Sequence, residues 1–128
     1  MRELEFRAWD KDKNRYPRLW TVEFGHDGID DMLAITETNG SVTISKNFVL
    51  EQYTGRKDKH GVKTYESDIV NASIYSDEKP QKLIVQWLGS GFVIEYEDSE
   101  SDLVLISEFV GSLEVIGNVH KNPELLET

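Results

Sequence analysis

Turn signals recur about every 8 to 12 residues along this chain, and between them apolar side chains tend to alternate with polar ones. A period of two puts successive side chains on opposite faces of a strand, so segments this short favour an all-β sandwich or a small barrel over helices. Leu4, Phe6 and Ala8 oppose Glu3, Glu5, Arg7 and Trp9, which reads as a first strand with Trp9 near its end. Asp10 to Asn14 is a polar turn, and Tyr16-Pro17 favours extended backbone. Leu19 to Phe24 is β-branched and aromatic and is broken by Gly25-His26-Asp27-Gly28. Asn39-Gly40, between Ala34-Ile35-Thr36 and Ser41-Val42-Thr43-Ile44, predicts a hairpin whose type I′ turn uses positive φ.

The second half is denser in strands. Asp68 to Tyr75 reads as one, ended by the loop Asp77 to Pro80. Leu83, Val85 and Trp87 alternate with Lys82, Ile84 and Gln86, and Gly89-Ser90-Gly91 turns this segment into Phe92 to Glu97 as a second hairpin. Leu103 to Phe109 fits either a strand or a short helical turn. Leu113 to Val119 reads as the last strand. Asn122-Pro123-Glu124 then supplies an N-cap, a first-position proline and an acidic first turn, with Leu125 and Leu126 docking the turn. The expected fold class is all-β, mainly β with a short C-terminal helical turn. A single domain of 128 residues would divide into N-terminal β elements over 1–47, a strongly bent barrel core over 48–121 and a terminal turn over 122–128.

Composition narrows the function classes. Apolar residues make up 38% of the chain, enough for a core, and no run approaches the length of a membrane span. The start, Met1 to Glu5, has no apolar run of a signal peptide, so the expected location is the cytoplasm. With no cysteine there is no disulfide frame, no thiolate nucleophile and no cysteine-based zinc site. The net charge of −10 argues against general nucleic-acid binding, which needs a cationic face. Residues 88–128 concentrate the acidity, with one lysine against nine carboxylates, and read as a solvated surface.

The segment from Gln52 to Val70 is the richest in signals. Gly55 and Gly61 flank a mildly basic turn, Arg56-Lys57-Asp58-Lys59-His60, and Gly61 suits a positive-φ position at its end. Asp68 is placed to bond backbone amides in a turn before Ile69. A metal-binding set would use Asp58, Glu66 and Asp68, but carboxylates near glycine serve more often as turn residues. His26, His60 and His120 each lie in or beside an expected loop, and no phosphate-binding glycine loop or nucleophile elbow is present.

Three blocks, Phe6-Arg7-Ala8-Trp9-Asp10, Gln52 to Val70, and Val115-Ile116-Gly117-Asn118-Val119-His120-Lys121-Asn122-Pro123-Glu124-Leu125-Leu126, give the chain a resemblance to the YopX family of small phage and prophage proteins. Two positions depart from that family's pattern. Arg56 stands where a leucine commonly follows Thr-Gly, which would expose a charge in place of a buried apolar side chain. Ser67 stands where a glycine usually precedes the aspartate, which implies that positive φ is not needed there. The resemblance implies a β-rich protein with an SH3-like barrel and supplies no reaction and no catalytic residues. Trp9, Tyr53 and Tyr65 would anchor a small core, and Gly55, Gly61 and Gly117 would mark turns or close approaches.

The functional expectation is a phage- or prophage-encoded, non-catalytic binding or self-assembly module, needing no cofactor and no metal. Its partner would be a host or phage protein, or a second copy in a homo-oligomer, with no membrane. The candidate contact patch is aromatic and basic: Tyr53, Arg56, Lys57 and Tyr65. An alternative has Arg56, Lys57, Lys59 and Lys63 contacting phosphates while Tyr53 or Tyr65 stacks a base. In a variant of it, Glu95, Glu97, Asp98, Glu100 and Asp102 imitate nucleic acid to occupy a host protein. A metal-dependent hydrolase ranks last.

Overall fold

A computed structural model describes residues 5–29, 31–73, 80–88, 91–95, 103–106, 109 and 111–126. The chain is all-β. Its strands are β1 (Phe6–Asp10), β2 (Leu19–Phe24), β3 (Leu33–Glu37), β4 (Val42–Ser45), β5 (Phe48–Lys57), β6 (Lys63–Tyr65), β7 (Asp68–Ser73), β8 (Gln81–Ile84), β9 (Gln86–Trp87), β10 (Phe92–Glu95), β11 (Leu103–Leu105) and β12 (Ser112–Asn118). Short 3-10 turns cover His26–Gly28 and Pro123–Leu126. The strands form four three-stranded sheets, ordered β2-β3-β4, β1-β5-β6, β12-β7-β8 and β11-β10-β9. These sheets are open, so the described residues do not close into the expected SH3-like barrel. Among the described residues each sheet has two edge strands, where a closed barrel would have none.

The chain divides into two compact units, Phe6–Glu51 and Gln52–Thr128 with Met1–Glu5, and the division falls inside β5. In the larger unit, the core gathers Val70, Ala72, Leu83, Val85, Phe92, Ile94, Ile106, Phe109 and Leu113. Leu83 and Val85 are buried as their alternation requires, but Trp87 is exposed and packs its ring on Phe92, directly opposite, at 4.9 Å between centroids. Val85 interrupts the run: its N–H bonds Asp68 O and its carbonyl accepts from Ser67, so β8 ends and β9 begins in another sheet. The segment left open as strand or helix is a strand over Leu103–Leu105, followed by a turn in which Phe109 N donates to Ile106 O.

In the smaller unit, Ala8 and Trp9 are both buried while Phe6 is exposed, so Trp9 takes the core position expected of it even though it alternates with Ala8. Trp9 meets Tyr16 edge-on, centroids 5.0 Å apart, and Tyr16 donates its hydroxyl to the buried Glu51 carboxylate at 2.8 Å. The Asn39-Gly40 hairpin forms, but without a type I′ turn. Gly40 has φ 90° and Asn39 is not among the positive-φ residues. Gly40 N donates to Glu37 O and Glu37 N to Ser41 O, a three-residue loop with glycine at the left-handed position.

Two other local expectations change. Ser67 does take positive φ, 68°, so a left-handed backbone, which was not expected here, is adopted with a side chain. No residue of the Pro123–Leu126 turn is buried, and Asn122 Oδ1 reaches back to accept from Asn118 N at 3.2 Å rather than capping the turn. Tyr75, Asp77–Lys79 and Gly89-Ser90 lie outside the described residues.

Candidate functional site

The β5–β6 hairpin holds all four residues of the expected contact patch. Tyr53 and Tyr65 are paired across it and Lys57 faces Lys63, with extra residues of β5 bulged between these pairs. Gly55, at φ 90°, makes the bulge. Tyr53 is buried, with Tyr65 5.7 Å away between ring centroids. Tyr65 donates its hydroxyl to Glu5 Oε2 at 2.8 Å, and Lys63 pairs with the other oxygen of that carboxylate. Lys57 is exposed.

The bulge shifts the phase of β5 and turns Arg56 inward. Its Nη1 donates to Ile106 O at 2.7 Å and to Phe109 O, and its Nη2 to Gly111 O at 3.3 Å. The guanidinium carbon lies 5.7 Å from the Phe109 ring centroid, and burial lowers the Arg56 pKa. The charge that was expected at the surface is used to hold the carbonyls of Ile106, Phe109 and Gly111. Of the patch, Lys57 is exposed, Tyr65 is half-buried, and Tyr53 is enclosed.

The three carboxylates of the metal reading serve backbone amides. Asp58 Oδ1 accepts from His60 N and Val62 N at 2.8 and 2.9 Å, and its Oδ2 from Val115 N at 2.9 Å. Asp68 Oδ2 accepts from Tyr65 N at 2.8 Å, and Glu66 Oε1 from Gln52 N at 2.9 Å. Among the described residues no three His, Asp or Glu side chains gather as a metal site. His60 and Lys59 share Glu114, at 3.1 and 3.3 Å, and these contacts lower the Glu114 pKa, that of His60 most. His26 pairs with Glu23 at 3.2 Å, and His120 N bonds Asn118 Oδ1. Glu97, Asp98, Glu100 and Asp102 lie outside the described residues, as does the Glu95 side chain.

A different surface emerges on β2-β3-β4. Directly opposite residues share a face. Ile35 and Thr43 therefore lie on one side with Leu33 and Ser45, while Ala34 and Ile44 lie on the other with Thr36 and Val42. The first side holds the fully buried Ile35 and is the inner one at the middle of the sheet, although Phe24, opposite Leu33 at its end, is 64% exposed. On the other side the small Ala34 is covered by its neighbours, at 7% exposure. β4 is thus inverted: Thr43 and Ser45 are half-buried, while Val42 and Ile44 are 59% and 50% exposed. On β2 the register slips between Leu19 and Thr21, leaving Trp20 as the extra residue of a bulge. Trp20 is 70% exposed and, with Thr38, lines an open depression of about 190 Å³. None of these residues was singled out by sequence. The signal present there, the shared parity of Val42 and Ile44, says that they share a face but not which face is inside.

The fold and this exposed sheet define a small all-β protein built from open antiparallel sheets. Residues 5–127 match the family of YopX proteins, and the chain belongs to that family. It is similar to protein EF1440 from Enterococcus faecalis, with 28% identity, a TM-score of 0.68, and coverage of 99% of this chain and 100% of that one. It shares the fold of protein yopX from Bacillus subtilis at 23% identity and a TM-score of 0.69, again covering 99% and 100% of the two chains. No curated protein matches the chain. No helix among the described residues is long and apolar enough to cross a membrane.

Proposed function

We propose that this protein is a phage- or prophage-encoded, non-catalytic binding module. It acts in the cytoplasm of a bacterial host and engages a protein partner through the outer face of β2-β3-β4. The observation that carries this reading is the inverted strand β4, with Val42 and Ile44 outward and Thr43 and Ser45 inward. Full burial of a valine or isoleucine side chain stabilises by about 1.5–3 kcal/mol, so leaving both half-exposed forgoes a sizeable gain. A strand shifted by one residue would recover that gain within the monomer, and the chain does not take it. Trp20, on the same sheet, adds a large amphipathic ring of the kind that anchors protein contacts.

The test compares wild type with a Trp20→Ser/Ile44→Ser double variant, each used as bait in nuclease-treated host lysate and each followed by thermal melting. Both positions are exposed, so the variant should keep the wild-type melting temperature to within about 2 °C while losing the stoichiometric partner. A folded double variant that retains the same partner at the same stoichiometry would refute the assignment of this face.

A further inference from the structure

β4 is an edge strand, paired on one side only, with β3. Its sequence, Val42-Thr43-Ile44-Ser45, is rich in β-branched residues and holds neither a proline nor a charge, the usual guards of an open edge. Beyond it Asn47 O already accepts from Lys11 N at 3.0 Å, which closes the edge past Ser45. The opposite edge of the sheet, β2, is guarded by the bulge at Trp20 and by Glu23.

We propose that β4 pairs antiparallel with β4 of a second copy of this chain, with the two Thr43 residues directly opposite each other. The proposal rests on the reading of this sheet as a contact surface and names its occupant. A two-fold axis through Thr43 sets Val42 of each copy opposite Ile44 of the other. The four β-branched side chains then meet on one face of a continuous six-stranded sheet. Registers displaced by one residue set apolar residues opposite Thr43 or Ser45 and send the two apolar faces to opposite sides.

Charge does not oppose this contact locally, although the chain as a whole carries −10. No charged side chain lies on β4, and Lys46 falls opposite Gly40 of the other copy, past the paired strands. The two Glu23 residues sit on the outermost strands, five strand spacings or about 24 Å apart, beyond the screening length of about 8 Å at physiological salt. The pairing stops at two copies because the outer edges it leaves are both the guarded β2. The strand and its two exposed side chains bury on the order of 300 Å² per copy, against about 800 Å² for a standard stable interface, so the dimer is a weak, concentration-driven one. Because the copies repel, its association strengthens as salt rises.

The chain has no cysteine, so single cysteines report the register directly. Opposed Thr43→Cys residues have Cβ atoms about 4.5–5.5 Å apart, close to what a disulfide needs. Thr43→Cys is expected to form a covalent dimer on mild oxidation about tenfold faster than Thr21→Cys on β2 at equal concentration, and faster in high salt. Adding Ile44→Lys should abolish the advantage, although it lowers the net charge and so the repulsion. Equal cross-linking rates for Thr43→Cys and Thr21→Cys, or an Ile44→Lys change without effect, would overturn the pairing. Neither result would touch the lysate test of Trp20 and Ile44.

Discussion

Removal of Arg56 would strip three carbonyls of one shared donor. Its guanidinium donates to the carbonyls of Ile106, Phe109 and Gly111, over the Phe109 ring. A hydrogen bond from a charged donor contributes about 1.5–3 kcal/mol, but three made by one half-buried group do not add in full. Discounting for partial exposure leaves about 3 kcal/mol for the set. Arg56→Leu keeps an apolar contact with Phe109 and loses every donor. The midpoint of thermal unfolding should fall by about 10 °C for a domain of this size. Arg56→Lys keeps the charge but has no planar fork to span three acceptors, so it should lose roughly half as much. Although burial lowers its pKa, an arginine stays charged, so both losses should be the same from about pH 6 to 9. Scanning calorimetry reads the midpoint. Amide exchange should quicken at Ile106 and Gly111 in the leucine variant. An Arg56→Leu protein that melts within about 1 °C of wild type would show that water replaces the guanidinium without loss, and the reasoning would fail.

Three further changes follow from the backbone and from Asp58. Ser67→Gly should raise stability by about 0.5–1 kcal/mol in urea unfolding, since Ser67 has φ 68°, and Ser67→Val should lower it. Gly117→Ala should cost about 1–3 kcal/mol, because its Cβ would lie 2.5 Å from Asn122 Oδ1, and pairing it with Asn122→Ala should recover part of the loss. Burial of Asp58 opposes its charge, but the amides of Val115, Val62 and His60 together outweigh it and hold its carboxyl below the usual range. Its stabilisation is then complete above its unfolded pKa of about 3.9 and lost as pH falls through the lower folded value. Asp58→Asn should cost about 2 kcal/mol at neutral pH and flatten the acid limb of stability against pH. Parallel acid limbs for the two proteins would assign that limb to other groups.

Local chemistry was legible in the sequence, and non-local chemistry was not. The hairpin at Asn39-Gly40, the turn closed by Gly61 and the last strand before Asn122-Pro123 all follow from short motifs whose cause lies within a few residues. Even there, the turn type at Gly40 differs from the expected one, since the Glu37 backbone closes a three-residue loop with Gly40 and Ser41. Trp9 is the core anchor expected of it, but alternation gives a parity and not a direction, and its partner, Tyr16, lies across a turn. Arg56 was assigned to the surface because a charge after Thr-Gly has no local partner. Its acceptors are carbonyls 50 to 55 residues away, and carbonyls leave no mark in a sequence. Ser67 was assigned an ordinary backbone from its side chain alone, whereas Ser67 N and O are claimed by Val85 and Val119, which impose its conformation.

The same reasoning explains why β4 faces as it does. Moving β4 by one residue would turn Val42 and Ile44 inward, for roughly 1–3 kcal/mol from their half-exposed state. The shift would have to pass through the loop, where Gly40 holds φ 90° and Asn39 Oδ1 accepts from Ser41 N at 2.9 Å. Shifted, the loop would need a residue other than glycine in the left-handed region, at about 1–2 kcal/mol, or would lose the Glu37–Ser41 closing bond. It would also carry Thr43 and Ser45 outward, breaking the contact of Ser45 Oγ with the Asp12 carboxylate and that of Asn47 N with Ser45 Oγ at 2.9 Å. Turn chemistry therefore matches or exceeds the burial gain, and the outward register is held by residues that do not touch the exposed side chains. A face kept apolar by its turn, on an edge without proline or charge, is one that a second chain can cover without rearranging the first.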